Sequence, residues 1–198
     1  MSISFRALIP VVIGALALIT GCADYGRVAT DSEDPFNSTT TDSKDYETVA
    51  QQMARDIVAI SQIANAAPEK APTIAFEKVV NRSSEPLDTD IFLEKIRSLL
   101  MQYGGGKIAF LDRAQTQAVL AERDLKRKGE VTASSKKAVL GADYFLAGSI
   151  RTIDKTDGKV RSTLTRYEFK LTDAESTQLI WAKDYEVKKT GKKGTYDR

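Results

Sequence analysis

Lys159-Val160-Arg161-Ser162-Thr163-Leu164-Thr165-Arg166-Tyr167-Glu168-Phe169-Lys170-Leu171-Thr172 is the stretch on which the fold turns. Tyr167, Phe169 and Leu171 alternate with Arg166, Glu168 and Lys170. Successive side chains of a strand point to opposite faces, so this alternation describes a sheet with one covered face and one wet face. Asp157-Gly158 lies just upstream, the kind of two-residue turn that closes a hairpin. The strand before that turn runs from Asp143 to Asp154 and contains Tyr144, Phe145, Leu146 and Ala147. A second turn at Glu175-Ser176 leads into Leu179, Trp181, Tyr185 and Val187 on one face, interrupted by Lys183, which either snorkels or marks an edge. The C-terminal third thus reads as three strands in a meander.

Upstream of it the period changes. Tyr46, Val49, Met53, Ile57, Ile60 and Ala64 recur at helical spacing, which predicts an amphipathic helix from Asp45 to Asn65, closed by Ala67-Pro68. Thr73 to Val80 follows Pro72 as a strand, and Asn81-Arg82-Ser83-Ser84-Glu85-Pro86 as a turn-rich loop. A second helix is capped by Asp88 or Thr89, carries Phe92, Ile96, Leu99 and Tyr103 down one face, and ends at Gly104-Gly105-Gly106. Lys107 to Asp112 holds an unbroken apolar run, the pattern of a strand covered on both faces. A third helix spans Arg113 to Lys128 and presents Ala114, Ala118, Ala121 and Leu125; a short fourth covers Ser134 to Leu140. The expected fold class is α/β, an α+β sandwich. It is a mixed sheet of about five strands with packed helices, its first strands joined by helices and its last three forming an antiparallel meander.

The N-terminus carries an address. Met1 to Arg6 holds one positive charge, Ala7 to Thr20 is almost wholly apolar, and Leu18-Ile19-Thr20-Gly21-Cys22 resembles the lipobox of bacterial lipoproteins. The apolar run falls short of the roughly 20 residues a membrane-spanning helix needs, and Pro10 would disturb such a helix. Residues 1–21 are therefore expected to be a cleaved signal peptide, with Cys22 bearing a diacylglycerol and an N-acyl chain; no other cofactor is expected. Together the chains anchor more firmly than the single one that binds reversibly. Ala23 follows the cysteine where Asp would mark inner-membrane retention, which favours the outer membrane. Residues 22–45, rich in Ser, Thr, Asp and Asn, read as a flexible tether reaching about 80 Å when fully extended. Residues 46–187 make the globular domain and 188–198 a basic tail.

Composition removes much chemistry. The chain has no histidine and one cysteine, so histidine-dependent triads, histidine metal sites and intramolecular disulfides are all absent. A formal net charge of +2 gives no bias toward nucleic acid. Gly104-Gly105-Gly106-Lys107 is no phosphate loop, because a helix precedes it and a strand follows, the reverse of what that motif requires. Asp88 and Asp90 sit where a helix dipole favours carboxylates and read as capping rather than as an acid–base pair. Glu122 to Lys128 reads as a solvated, charge-dense helix end. Lys188, Lys189, Lys192, Lys193 and Arg198 read as a solubilising tail or, alternatively, as a source of weak attraction to an anionic envelope polymer. No catalytic or metal-binding residue is expected.

Three stretches then carry a resemblance. Val79-Val80-Asn81-Arg82 precedes Glu85-Pro86-Leu87-Asp88-Thr89-Asp90, and Gly106-Lys107 precedes Phe110-Leu111-Asp112-Arg113. Gly141-Ala142-Asp143-Tyr144-Phe145-Leu146-Ala147-Gly148-Ser149-Ile150 continues the pattern, with Leu179-Ile180-Trp181 beyond it. Over most of residues 72 to 187 this resembles the LpoB-like lipoprotein activators of penicillin-binding proteins. That resemblance implies an outer-membrane, periplasm-facing lipoprotein that binds a bifunctional peptidoglycan synthase and stimulates its glycosyltransferase and transpeptidase, without catalysis of its own. It also singles out Asn81 and Arg82, which either brace a loop or touch the partner. Arg166 and Tyr167 are further candidate contacts, since Arg and Tyr are common interface anchors. The tether is short and not proline-rich, whereas some family members have long proline-rich ones, so reach across the periplasm rests on the adjoining helix undocking or on a narrow periplasm. Two other readings are a subunit of an envelope assembly or secretion complex of the curli-pore kind, and a wall-cleaving glycosidase built on two carboxylates.

Overall fold

The computed structural model describes residues 26–34, 38–132 and 140–192. Cys22 and the leader lie outside the described residues, as does the expected fourth helix apart from Leu140. Among the described residues four α-helices, α1 (Ser43–Val58), α2 (Ser61–Ala64), α3 (Thr89–Gly104) and α4 (Thr116–Lys128), accompany five strands. These are β1 (Thr73–Arg82), β2 (Ala109–Leu111), β3 (Tyr144–Asp157), β4 (Val160–Asp173) and β5 (Leu179–Lys192). They form one mixed sheet in the order β2-β1-β3-β4-β5, with β1 parallel to both its neighbours and β3, β4 and β5 antiparallel. The expected fold class holds.

The alternation in β4 sets the layers. Tyr167, Phe169 and Leu171 are fully buried, together with Leu146 and Ile150 of β3 and Ile74 of β1, and Val79 of β1 is buried beside them. They lie in one core with Val49, Met53 and Ile57 of α1 and Phe92, Ile96 and Leu100 of α3. Tyr46 stacks on Phe92 at 3.9 Å, and Phe92 meets Tyr167 at 5.3 Å, an aromatic chain from helix layer to sheet. Asp42 and Asp45 cap α1 reciprocally, Asp88 caps α3, and Gly105 ends α3 at φ 53°, the left-handed conformation a helix C-terminus favours. Gly158 takes φ 55° in the β3–β4 turn, as the Asp-Gly signal requires.

Several boundaries differ from those expected, for identifiable reasons. The first helix begins at Ser43 and breaks after Val58, where Ile60 is extended at ψ 132°. Ile57 and Ile63 are both fully buried, and six residues along an unbroken helix they would point in different directions. β1 continues through Asn81 and Arg82, which pair with Ile150 and Arg151, so these two residues end a strand instead of opening a loop. β2 is a half-buried edge strand paired with β1, not one covered on both faces. The third helix divides into a 3-10 turn at Arg113–Gln115 and α4, none of whose residues is buried. Its inward candidates are largely alanines, too small to hold a charge-dense helix against a sheet. β5 runs to Lys192, pairing there with Val160, so Lys188, Lys189 and Lys192 belong to the sheet and not to a tail.

Candidate functional site

α1 and α3 share the core with one side of the sheet, and the other side exposes charged residues in bands across the strands. Arg82 of β1 pairs in register with Arg151 of β3, Arg151 with Arg166 of β4, and Arg166 with Glu186 of β5. The next band joins Val80, Ser149, Glu168 and Asp184, and beyond it Ala147 pairs with Lys170. Lys78, Val80, Arg82, Ser149, Arg151 and Lys170 line a shallow groove whose floor includes Ala147 and Gly148. Floor and bands follow from the two-residue period: Ile150 and Phe169 face the core, so Arg151, Glu168 and Lys170 face outward.

The three arginines are not equivalent. Arg166 donates from Nε to Glu186 Oε1 at 2.7 Å, its Nη2 lies 2.5 Å from the same oxygen, and Asp184 lies 3.5 Å away. The Glu186 hydrogen bond and the two acidic neighbours hold its guanidinium above the usual arginine range. Among the described residues, Arg82 and Arg151 have no ion-pair or hydrogen-bond partner for their side chains. Like charges opposite one another in a sheet repel, so this pair is a local cost that an approaching anion relieves.

Of the four candidate contacts, Arg82 and Arg166 share this open face. Asn81 does not: its Nδ2 donates to the Glu85 carbonyl at 2.7 Å, while its Oδ1 accepts from the Ser83 backbone at 2.9 Å and hydroxyl at 2.6 Å. Both ends are used to brace the β1–α3 loop. Tyr167 is fully buried on the helix side, its hydroxyl 3.1 Å from Thr41 Oγ1. It is unavailable to a partner, and burial raises its phenol pKa. The alternation that identifies β4 as a strand also forbids Arg166 and Tyr167 from sharing a face.

The helix side is closed by a strap from the stretch expected to be tether. Thr39 is buried, and the Thr41 backbone N–H donates to Glu85 Oε2 at 2.9 Å. Lys189 of β5 reaches Asp42 at 2.7 Å, Asp45 at 2.6 Å and the Thr40 carbonyl at 2.9 Å. Lys183, which interrupts the apolar face of β5, pairs with Asp56 of α1 at 2.5 Å, and Asp56 also accepts from the Tyr185 hydroxyl at 2.7 Å. The ordered unit therefore includes Thr39 to Asp42, ahead of the expected boundary.

Residues 45–187 match the family model described as peptidoglycan-synthase activator LpoB. The chain belongs to the LpoB family. The matched stretch takes in every helix and strand described except the first two residues of α1 and the end of β5. Among solved structures, the LpoB C-terminal domain from Salmonella enterica is similar at 15% identity and TM-score 0.45, covering 72% of this chain and 98% of that one. The LpoB C-terminal domain from Escherichia coli gives 14% identity and TM-score 0.43 over the same shares. Lipoprotein GNA1162 from Neisseria meningitidis gives 16% identity and TM-score 0.39, covering 60% and 83%. No curated protein matches the chain.

In this LpoB-family chain, sequence reasoning missed Arg151, Lys78, Lys170 and Glu168. The signal present was parity, since Arg151 follows the apolar Ile150. What places Arg151 between Arg82 and Arg166 is the register of three strands, which no single stretch carries.

Proposed function

We propose that this chain is a periplasm-facing lipoprotein, held in the outer membrane by acyl chains on Cys22, that binds a bifunctional class A penicillin-binding protein and stimulates peptidoglycan synthesis. The observation carrying this reading is the family match across the folded domain, to a family described as activating a peptidoglycan synthase. The chain acts by binding: it raises synthase activity to the extent that it binds the active conformation more tightly than the resting one. The face of the sheet opposite α1 and α3, with Arg82 and Arg166, is the docking face, since the other side is filled by α1, α3 and the strap.

The test is glycan polymerisation by the host's purified bifunctional synthases with and without the full chain. Stimulation of at least one synthase, together with direct binding, is the expected result. Absence of both for every synthase would overturn the reading. Wall cleavage by the chain alone would replace it with the enzyme alternative, and co-purification with an outer-membrane export pore would replace it with the assembly alternative.

A further inference from the structure

The open face is banded in charge. Arg82, Arg151 and Arg166 make a basic band across β1, β3 and β4, and Lys78 and Lys170 lie in a second band at the far end of the groove. Glu168 and Asp184 sit between them, paired in register across β4 and β5. Arg166 and Lys170 are four residues apart along β4, so the two basic bands stand about 13 Å apart at roughly 3.3 Å per residue. The unpaired charge is unevenly placed. Arg166 is satisfied by Glu186 and Asp184, whereas Arg82, Arg151, Lys78 and Lys170 have no ion-pair partner among the described residues.

A uniform polyanion does not suit this surface, because each charge passing the middle band meets Glu168. A protein surface with two separated acidic groups and a neutral or basic group between them does. We propose that the groove over Ala147, Gly148 and Ser149 docks a protein partner presenting two carboxylates about 13 Å apart. In that arrangement Arg82 and Arg151 grip one carboxylate, Lys78 and Lys170 the other, and Glu168 rejects anionic polymers. The proposal rests on the activator reading for the partner's identity and adds the chemistry of the contact. Arg151 and Glu168 are its specificity-determining residues, and the alternative attraction to an anionic envelope polymer becomes an outcome of its test.

The experiment uses the full chain carrying Cys22→Ser, which cannot be acylated, in two arms. In the first, affinity for the host's bifunctional synthases is measured for this chain, for the double variant R82E/R151E, and for R127E, a charge change on α4 at a residue that does not line the groove. The double variant is expected to lose roughly tenfold or more in affinity, mostly through faster dissociation, while R127E stays within about twofold. In the second arm, polyphosphate and poly-glutamate are offered to the chain and to E168K. The chain is expected to bind neither tightly, and E168K is expected to gain polymer affinity with a steep salt dependence while losing synthase affinity. Thermal unfolding of each variant separates lost contacts from lost folding. Undiminished synthase binding by a folded R82E/R151E, or tight polymer binding by the unaltered chain, would overturn the proposal. Failure of the unaltered chain to bind any synthase would instead overturn the activator reading and, with it, the protein partner named here.

Discussion

A methyl group at residue 148 would sit 2.6 Å from one carbon of the Phe169 ring, 2.8 Å from another and 3.0 Å from the Glu168 carbonyl oxygen. Phe169 is fully buried, so its ring has little freedom to retreat, and the backbone oxygen has less. Gly148→Ala is therefore expected to destabilise the domain by about 1–3 kcal/mol, the usual cost of overpacking, read as a lowered thermal midpoint. An unchanged midpoint would mean the β3–β4 pairing is looser than described. The same residue supports the groove floor on the opposite face, so strain at 148 is felt on both sides of the sheet. Cys22 and Gly148 illustrate two kinds of legibility. Cys22 is recognised from its neighbours in sequence alone, whereas the need for glycine at 148 depends on Phe169, a partner from another strand, and no local pattern announces it.

Three carboxylates lock elements together. Asp42 ties the strap to β5 through Lys189, Asp56 ties α1 to β5 through Lys183 and Tyr185, and Asp154 joins β3 to Arg161 and Thr163 of β4 and to Ser84 of the β1–α3 loop. Burial pushes each carboxyl upward, but the hydrogen bonds and cations outweigh it, so all three lie below the ordinary aspartate value of 3.8. A carboxyl with a lowered pKa stabilises the fold fully above its unfolded value and loses that contribution as pH falls through the folded one. The thermal midpoint should therefore hold between about pH 5 and 7 and drop below about pH 4, with a shallower drop in Asp56→Asn. An identical acid profile in that variant would remove the Asp56 lock from the account. Element by element, period and turn chemistry legibly gave β4, the Asp157-Gly158 hairpin and the Asp88 cap. They misplaced α1's end and the tether boundary because the break at Ile60 and the strap depend on what those residues pack against. They merge the 3-10 turn at Arg113–Gln115 with α4, and the apolar face they mark on it stays unburied because small residues do not by themselves create a surface to pack on.

At the scale of the molecule, α1 cannot serve as spare tether. Val49, Met53 and Ile57 are essentially fully buried, and exposing such side chains costs about 1.5–3 kcal/mol each, which in sum approaches the 5–15 kcal/mol stability of a typical domain. With the proposed anchor at Cys22, reach is set by the chain between that residue and the strap, about 55 Å at full extension, shorter than the roughly 80 Å of a tether running to residue 45. Under the proposed function, a domain so anchored meets its partner close to the membrane, and the distance between Cys22 and the open face limits which synthases are accessible. The two sides of the sheet differ: one holds the core, α1, α3 and the strap, and the other, which carries Arg82 and Arg151, is the face proposed to dock a partner. The most direct test of that division places a photo-crosslinking side chain at Val80, 46% exposed on the open face, or at Met101, 64% exposed on α3, in the full chain mixed with the host's bifunctional synthases. A crosslinked complex is expected from position 80 and none from position 101; a complex from 101 alone would place the partner on the helix side instead.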